Sequence, residues 1–169
     1  MKEKQMPGDQ PRKNMVFYRS EDAVSLDDDG MMSPPDITPA VYKTHDLSPM
    51  ADGNKVTVLF KGDGPDGFSL VHSWFGANFQ LPRHSHSADC LYYVLSGEIS
   101  MGNRVMTAGD GFFVAQDAVY AYIAGPSGAE VLEFRSATSF DMKVADKTAE
   151  QWRPIIEAAV ANHDAWVRQ

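Results

Sequence analysis

Between Leu81 and Gly97 the chain reads LPRHSHSADCLYYVLSG. Two of the five histidines stand one residue apart, the only cysteine follows, and an apolar run ends at Ser96-Gly97. Successive side chains of a strand point to opposite faces, so His84 and His86 share a face. Pro82 just ahead of them suits a strand that starts at a rim, because proline cannot donate to a central ladder. Two imidazoles roughly 7 Å apart along one strand face can converge on one metal ion if other strands bring the remaining ligands. The plainer alternative is a polar loop flanking a hydrophobic strand.

The run that follows is apolar on both sides. Cys90, Tyr92 and Val94 fall on one face, and Leu91, Tyr93 and Leu95 on the other. A strand of this kind is covered on both faces. The cover for the outer face is expected from an N-terminal arm, a C-terminal helix or a second subunit.

Outward from this run, short alternating segments continue in both directions. Lys55–Phe60 alternates and leads into the turn cluster Gly62–Gly67. Phe68–Phe75 alternates with Phe68, Leu70, His72 and Trp74 on one face. Glu98–Met101 and Arg104–Thr107 flank Gly102-Asn103, the signature of a two-residue hairpin turn. Phe112–Ala115, Val119–Ile123 and Val131–Arg135 complete the series, with Gly125-Pro126-Ser127-Gly128 read as the turn before the last. Seven or more strands without a helical period predict an all-β sandwich or barrel over residues 55–140.

The two ends differ from this body. Residues 1–13 read as a disordered tail. Residues 14–54 carry Pro34, Pro35, Pro39 and Pro49 among apolar anchors such as Val16, Phe17, Tyr18, Leu26, Ile37 and Val41. They are expected to form an irregular arm with short strand pieces lying on the barrel, His45 being an exposed loop residue. Residues 146–168 predict an amphipathic helix. Thr148 and Gln151 fit a capping box, and Trp152, Ile155, Ile156, Ala159, Val160, Trp166 and Val167 recur at helical spacing.

Composition excludes several function classes. A formal charge of −8 and no basic run argue against nucleic acid or an anionic membrane as partner. A single cysteine allows no intrachain disulfide, the N-terminal residues lack the apolar core of a secretion signal, and no membrane-spanning run occurs. A soluble cytoplasmic protein is expected.

The order of residues resembles the two sequence motifs of the cupin superfamily. Gly76, His84-Ser85-His86, Cys90 and Gly97 parallel the first motif, and Gly109-Asp110 through Ala115 to Tyr120 parallel the second. The resemblance implies a double-stranded β-helix barrel, often paired as a homodimer, and in many members a divalent metal held by His, His, Glu and His. Carried over residue by residue, His84 and His86 are kept, Cys90 stands for the glutamate, and Tyr120 stands near the last histidine. A His-His-thiolate set of His84, His86 and Cys90 would take a divalent metal such as Zn, Fe or Ni. A phenol is a poor ligand while protonated, so Tyr120 is cast as a hydrogen-bond donor or weak acid. Tyr92, Tyr122, His72 and Trp74 are expected to line the lumen and contact the substrate.

The functional expectation is then a barrel acting on a small, apolar or aromatic oxygenated molecule, by oxygenase-, lyase- or isomerase-like chemistry if a metal is held. Its counterpart from another class is a metal-free binding or sensing barrel.

Overall fold

The computed structural model describes residues 15–64 and 67–167. The expected tail and Pro65-Asp66 lie outside them. In chain order the elements are strand β1 (Val24–Ser25), helix α1 (Leu26–Asp29), helix α2 (Pro39–Thr44), a 3-10 turn (Ser48–Gly53), then β2 (Asn54–Lys61) and β3 (Ser69–Phe75). They continue as β4 (His84–Ser85), β5 (Cys90–Met101), β6 (Arg104–Thr107), β7 (Gly111–Val114), β8 (Ile123–Arg135), β9 (Lys143–Val144) and helix α3 (Ala149–Trp166).

One antiparallel sheet runs β1-β2-β3-β8-β5-β6, with β7 also paired to β5, and a two-stranded ladder joins β4 to β9. No helix interrupts residues 55–135 among those described, as the alternating segments require. Met101 pairs with Arg104 across Gly102-Asn103, so that hairpin is the expected two-residue one.

Two segment boundaries differ from expectation. β5 is one continuous strand through Ser96-Gly97. The Gly125–Gly128 stretch is no chain reversal but part of β8, bulging where Gly97 pairs with Ala129 and Ile99 with Ala124. The strand bends there without turning back, which proline and glycine permit at a bulge. Of the expected strand Val119–Ile123, Tyr120 makes only a bridge to His84, and Ile123, bridged to Gln80, is the first residue of β8.

The arm is built mostly from helical turns, with one short strand piece. Leu26 and Val41 are buried, whereas Val16 and Phe17 are exposed, and Tyr18, also largely exposed, sets its ring 6.1 Å from that of Phe60 on β2. His45 is half-buried, its Nε2 lying 2.7 Å from the carbonyl of Ala149. Helix α3 opens with the expected capping box of Thr148 and Gln151. It buries Trp152, Ile155, Ile156, Ala159 and Trp166, while Val160 and Val167 face outward. Trp152 packs with Val41 of the arm, Val144 and Ile156. Asp146 ties this end to the barrel by accepting from the backbone N and the Nε of Arg83, each at 2.8 Å. Among the described residues no helix is long and apolar enough to cross a membrane.

Candidate functional site

Alternation along β5 holds strictly: Cys90, Tyr92 and Val94 are buried, and Leu91, Tyr93 and Leu95 are exposed. The inward face of β5 therefore sets the floor of a lumen. β8 is locked to it in register, Cys90 opposite Arg135, Tyr92 opposite Glu133 and Val94 opposite Val131. The alternation of Val131, Glu133 and Arg135 thus turns a carboxylate and a guanidinium inward, while Phe134 stays at the surface. These two residues were missed from sequence because the apolar Leu132 and Phe134 compete for the inner face. The period-two spacing from Val131 was the available signal.

The same rule corrects β3. Ser69, Val71, Ser73 and Phe75 form its inward face, all essentially buried. His72 points outward to Glu130 at 3.4 Å, and Trp74 is half-buried on the same outer side. His72 and Trp74 are absent from the lining of the cavity. Choosing the face by aromatic content failed because the inward positions of β3 carry serines whose hydroxyls donate to the Ala137 carbonyl and to Glu133. Ser73 donates to Glu133 Oε1 at 2.5 Å.

The cavity encloses about 290 Å³. Its roof comes from the arm, through Leu26, Met32, Pro35, Ile37, Leu47 and Met50, and from Trp152 of α3. Its polar floor gathers His84, His86, Tyr92, Tyr120, Tyr122, Glu133 and Arg135. Of the residues expected in the lumen, His84, His86, Tyr92, Tyr120 and Tyr122 are brought together. A paired backbone bridge, His84 N to Tyr120 O and Tyr120 N to His84 O at 2.9 Å each, sets Tyr120 beside His84, ring centroids 4.5 Å apart.

Each imidazole is oriented by a backbone carbonyl. His84 Nδ1 lies 2.8 Å from the carbonyl of Pro82, and His86 Nδ1 lies 2.6 Å from that of Asp141. A carbonyl only accepts, so Nδ1 carries the proton and, in the neutral ring, Nε2 keeps its lone pair. Burial lowers the pKa of both rings, that of His86 to about 4 with the Arg135 charge as second cause. Both are neutral at pH 7. Tyr92 and Tyr120 hydrogen-bond hydroxyl to hydroxyl, and burial holds both, with Tyr122, protonated well above the ordinary tyrosine range.

Glu133 and Arg135 form a buried ion pair at 2.5 Å, their side chains 8% and 3% exposed. Burial alone would raise the pKa of Glu133, but the Arg135 charge and the Ser73 hydroxyl outweigh it and keep the carboxylate ionised. Arg135 Nη2 reaches the Tyr92 hydroxyl at 3.5 Å, and its Cζ sits 4.2 Å above the Phe140 ring. Its Nε and Nη1 are buried without a partner. An orphaned buried donor costs about 1–3 kcal/mol, more when charged.

The metal set implied by the resemblance does not assemble. The two imidazole Nε2 atoms suit a metal, but Cys90 does not join them. Its Sγ is 4.0 Å from its neighbour's carbonyl, it is absent from the cavity lining, and burial pushes the thiol up to about 12. The nearby charge that would favour its thiolate is Arg135, already paired to Glu133. Among the described residues no three His, Cys, Asp or Glu side chains come together as a metal-binding group. Catalytic centres ordinarily keep three protein ligands. In this structure His84, His86 and Cys90 do not gather as one such set.

No protein-family model and no curated protein matches this sequence. Solved structures do match. The polyketide cyclase RemF from Streptomyces resistomycificus is 18% identical, over 63% of this chain and 84% of that one, with a TM-score of 0.51. An RmlC-like cupin protein from Ralstonia eutropha JMP134 is 15% identical, over 73% of this chain and 69% of that one, also at 0.51. With the antiparallel sheet wrapped on a lumen, the His-x-His strand at its rim and the C-terminal helix, these likenesses establish that the chain has the fold of the cupin superfamily.

Proposed function

We propose that this chain binds a small, apolar or aromatic oxygenated molecule in the barrel lumen, and that it does so without a His-His-Cys metal centre. The observation that carries this reading is the cavity itself: an apolar roof and walls closed over one cluster of polar atoms. Ligand sites are typically built in this way, with few polar groups fixing orientation in an apolar enclosure. The cavity is small, at about 290 Å³, which suits a body of one ring or a short chain.

A second reading from a different class is favoured by one arrangement. The Tyr120 ring, its hydroxyl held protonated, packs beside neutral His84, whose Nδ1 carries the proton, with ring centroids 4.5 Å apart. An acid next to a base suits lyase- or isomerase-like proton transfer on the same molecule. Pairing of two chains through the exposed wall of β5, β7 and β8, and a reducing cytoplasmic setting for the lone thiol, belong to the same proposal.

Trp152 lines the cavity and reports on its occupancy. Titration with small aromatic ketones and alcohols should change its fluorescence saturably, and Ile37→Trp, which fills the roof, should abolish the change. Binding unaffected by Ile37→Trp would place the ligand elsewhere. Elemental analysis of untagged protein tests the metal clause. A stoichiometric divalent metal that is lost in His84→Ala would move the chain into the metal-dependent class.

A further inference from the structure

We propose that the lumen selects a neutral hydroxy-carbonyl compound, which offers its carbonyl oxygen to the guanidinium of Arg135 and its hydroxyl hydrogen to an imidazole of the His84/His86 pair. The inference rests on the lumen being a small-molecule site and specifies what that site takes.

The polar atoms of the floor divide into those already satisfied and those that are not. Glu133 is held by Ser73 and Arg135, and the Tyr92 and Tyr120 hydroxyls hold each other. Besides the Tyr122 hydroxyl, which can donate or accept, two kinds of group remain open. Arg135 has two donors, Nε and Nη1, buried without any acceptor. Among the described residues neither His84 nor His86 has a hydrogen-bond partner at Nε2, and their Nδ1 contacts leave those nitrogens as acceptors. A molecule that satisfies both kinds must carry an accepting oxygen and an O–H donor. A simple ketone leaves the imidazoles open, and a simple alcohol competes less well for the guanidinium.

Charge decides between a neutral molecule and an anion. Glu133 is the only carboxylate and Arg135 the only cationic side chain among the lining residues, both histidines being neutral, and the two charges already cancel each other. A carboxylate ligand would bring an unbalanced charge into an apolar enclosure beside Glu133, which is costly. A neutral oxygen function adds none. The apolar roof and the 290 Å³ volume leave room for a body about the size of one aromatic ring.

Four probes with one phenyl body separate the possibilities: 2-hydroxy-1-phenylethanone (hydroxyl and carbonyl), acetophenone (carbonyl only), 2-phenylethanol (hydroxyl only) and benzoylformate (anion). Calorimetric titration of the full chain should place the hydroxy-ketone first, by roughly tenfold over each single-function probe, as expected for one added hydrogen bond. Arg135→Lys should erase its advantage over 2-phenylethanol, and His84→Phe with His86→Phe its advantage over acetophenone. If Arg135→Lys does not fold, the ranking on the unaltered chain still decides. Benzoylformate binding tightest, or all four binding equally, would overturn the inference while leaving the lumen site standing. No binding by any probe, with Trp152 fluorescence unmoved, would overturn the lumen reading itself.

Discussion

Glu133 and Arg135 hold a large electrostatic stake, because both are out of water and each is the other's counter-ion. Removing one partner strands the other charge. Glu133→Gln is therefore expected to destabilise by about 3–5 kcal/mol. The surface pair Lys143–Asp117, over half exposed at both ends, should be nearly silent on Asp117→Asn. Urea unfolding of the two variants checks the contrast, and equal losses would contradict it. His86 makes a second prediction. Its folded pKa of about 4 lies below the ordinary 6.5, so at pH 7 it is neutral folded or unfolded and contributes no pH dependence. As pH falls through 6.5 the unfolded chain takes up a proton that the folded one refuses, and stability drops until about pH 4. The full loss is on the order of 3 kcal/mol for this residue. His86→Asn should flatten the stability profile between pH 7 and 4.5 relative to the unaltered chain. Parallel profiles would show that the ring is not held neutral. Cys90, a buried thiol outside the cavity lining, makes a third. Cys90→Ser should leave metal content unchanged and cost about 1–3 kcal/mol for the buried hydroxyl, and a fall in bound metal would restore it as a ligand.

At the scale of elements, the bulge between β5 and β8 shapes the barrel wall. Gly97 has φ +68, and a Cβ there would run into the carbonyl of Gly128 across the bulge. Gly102, in the β5–β6 hairpin, has φ +60 with open space around it. Gly102→Ala should cost about 1 kcal/mol from backbone conformation alone. Gly97→Ala adds the collision and is expected to cost at least about twice that. Equal melting shifts for the two would mean that the bulge is not packed as described. Helix α3 contributes differently, since Trp152 roofs the lumen, packs against the arm and donates its indole N–H to the Asp146 carbonyl at 2.8 Å. Arm and helix therefore close the cavity together.

For the whole molecule, the open question is the outer wall. Leu91, Phe113 and Phe134 are 51%, 61% and 40% exposed and lie side by side, since Leu91 is in register with both phenylalanines. Tyr93 and Leu95 extend the same face at 44% and 40%. Neither the arm nor α3 shields it. Contiguous apolar surface of this kind marks an interaction face. A pair of chains is expected, with a mass near twice 18.6 kDa by light scattering at micromolar concentration. Leu91→Lys combined with Phe134→Lys should return it to a single chain without loss of fold. A monomeric mass for the unaltered chain would sink the pairing.

What the sequence determined by itself is everything set by local spacing. Period two placed His84 and His86 at one rim and split β5 into an inner and an outer face, Gly102-Asn103 set a hairpin, and Thr148 with Gln151 started a helix. The bridge that seats Tyr120 beside His84 is consistent with the motif order read from the chain. Alternation states that a strand has two faces but not which one looks inward. That choice belonged to the tertiary structure. On β3 it favoured Ser69 and Ser73 over His72 and Trp74, and on β8 it favoured Glu133 and Arg135 over Leu132 and Phe134. The physical reason is shared. Register to β5 puts Arg135 and Glu133 opposite Cys90 and Tyr92, and β3, paired to the other edge of β8, brings Ser73 to the Glu133 carboxylate. Cys90 shows the same limit, since its position in the motif was legible but its burial outside the cavity lining depended on packing among distant strands.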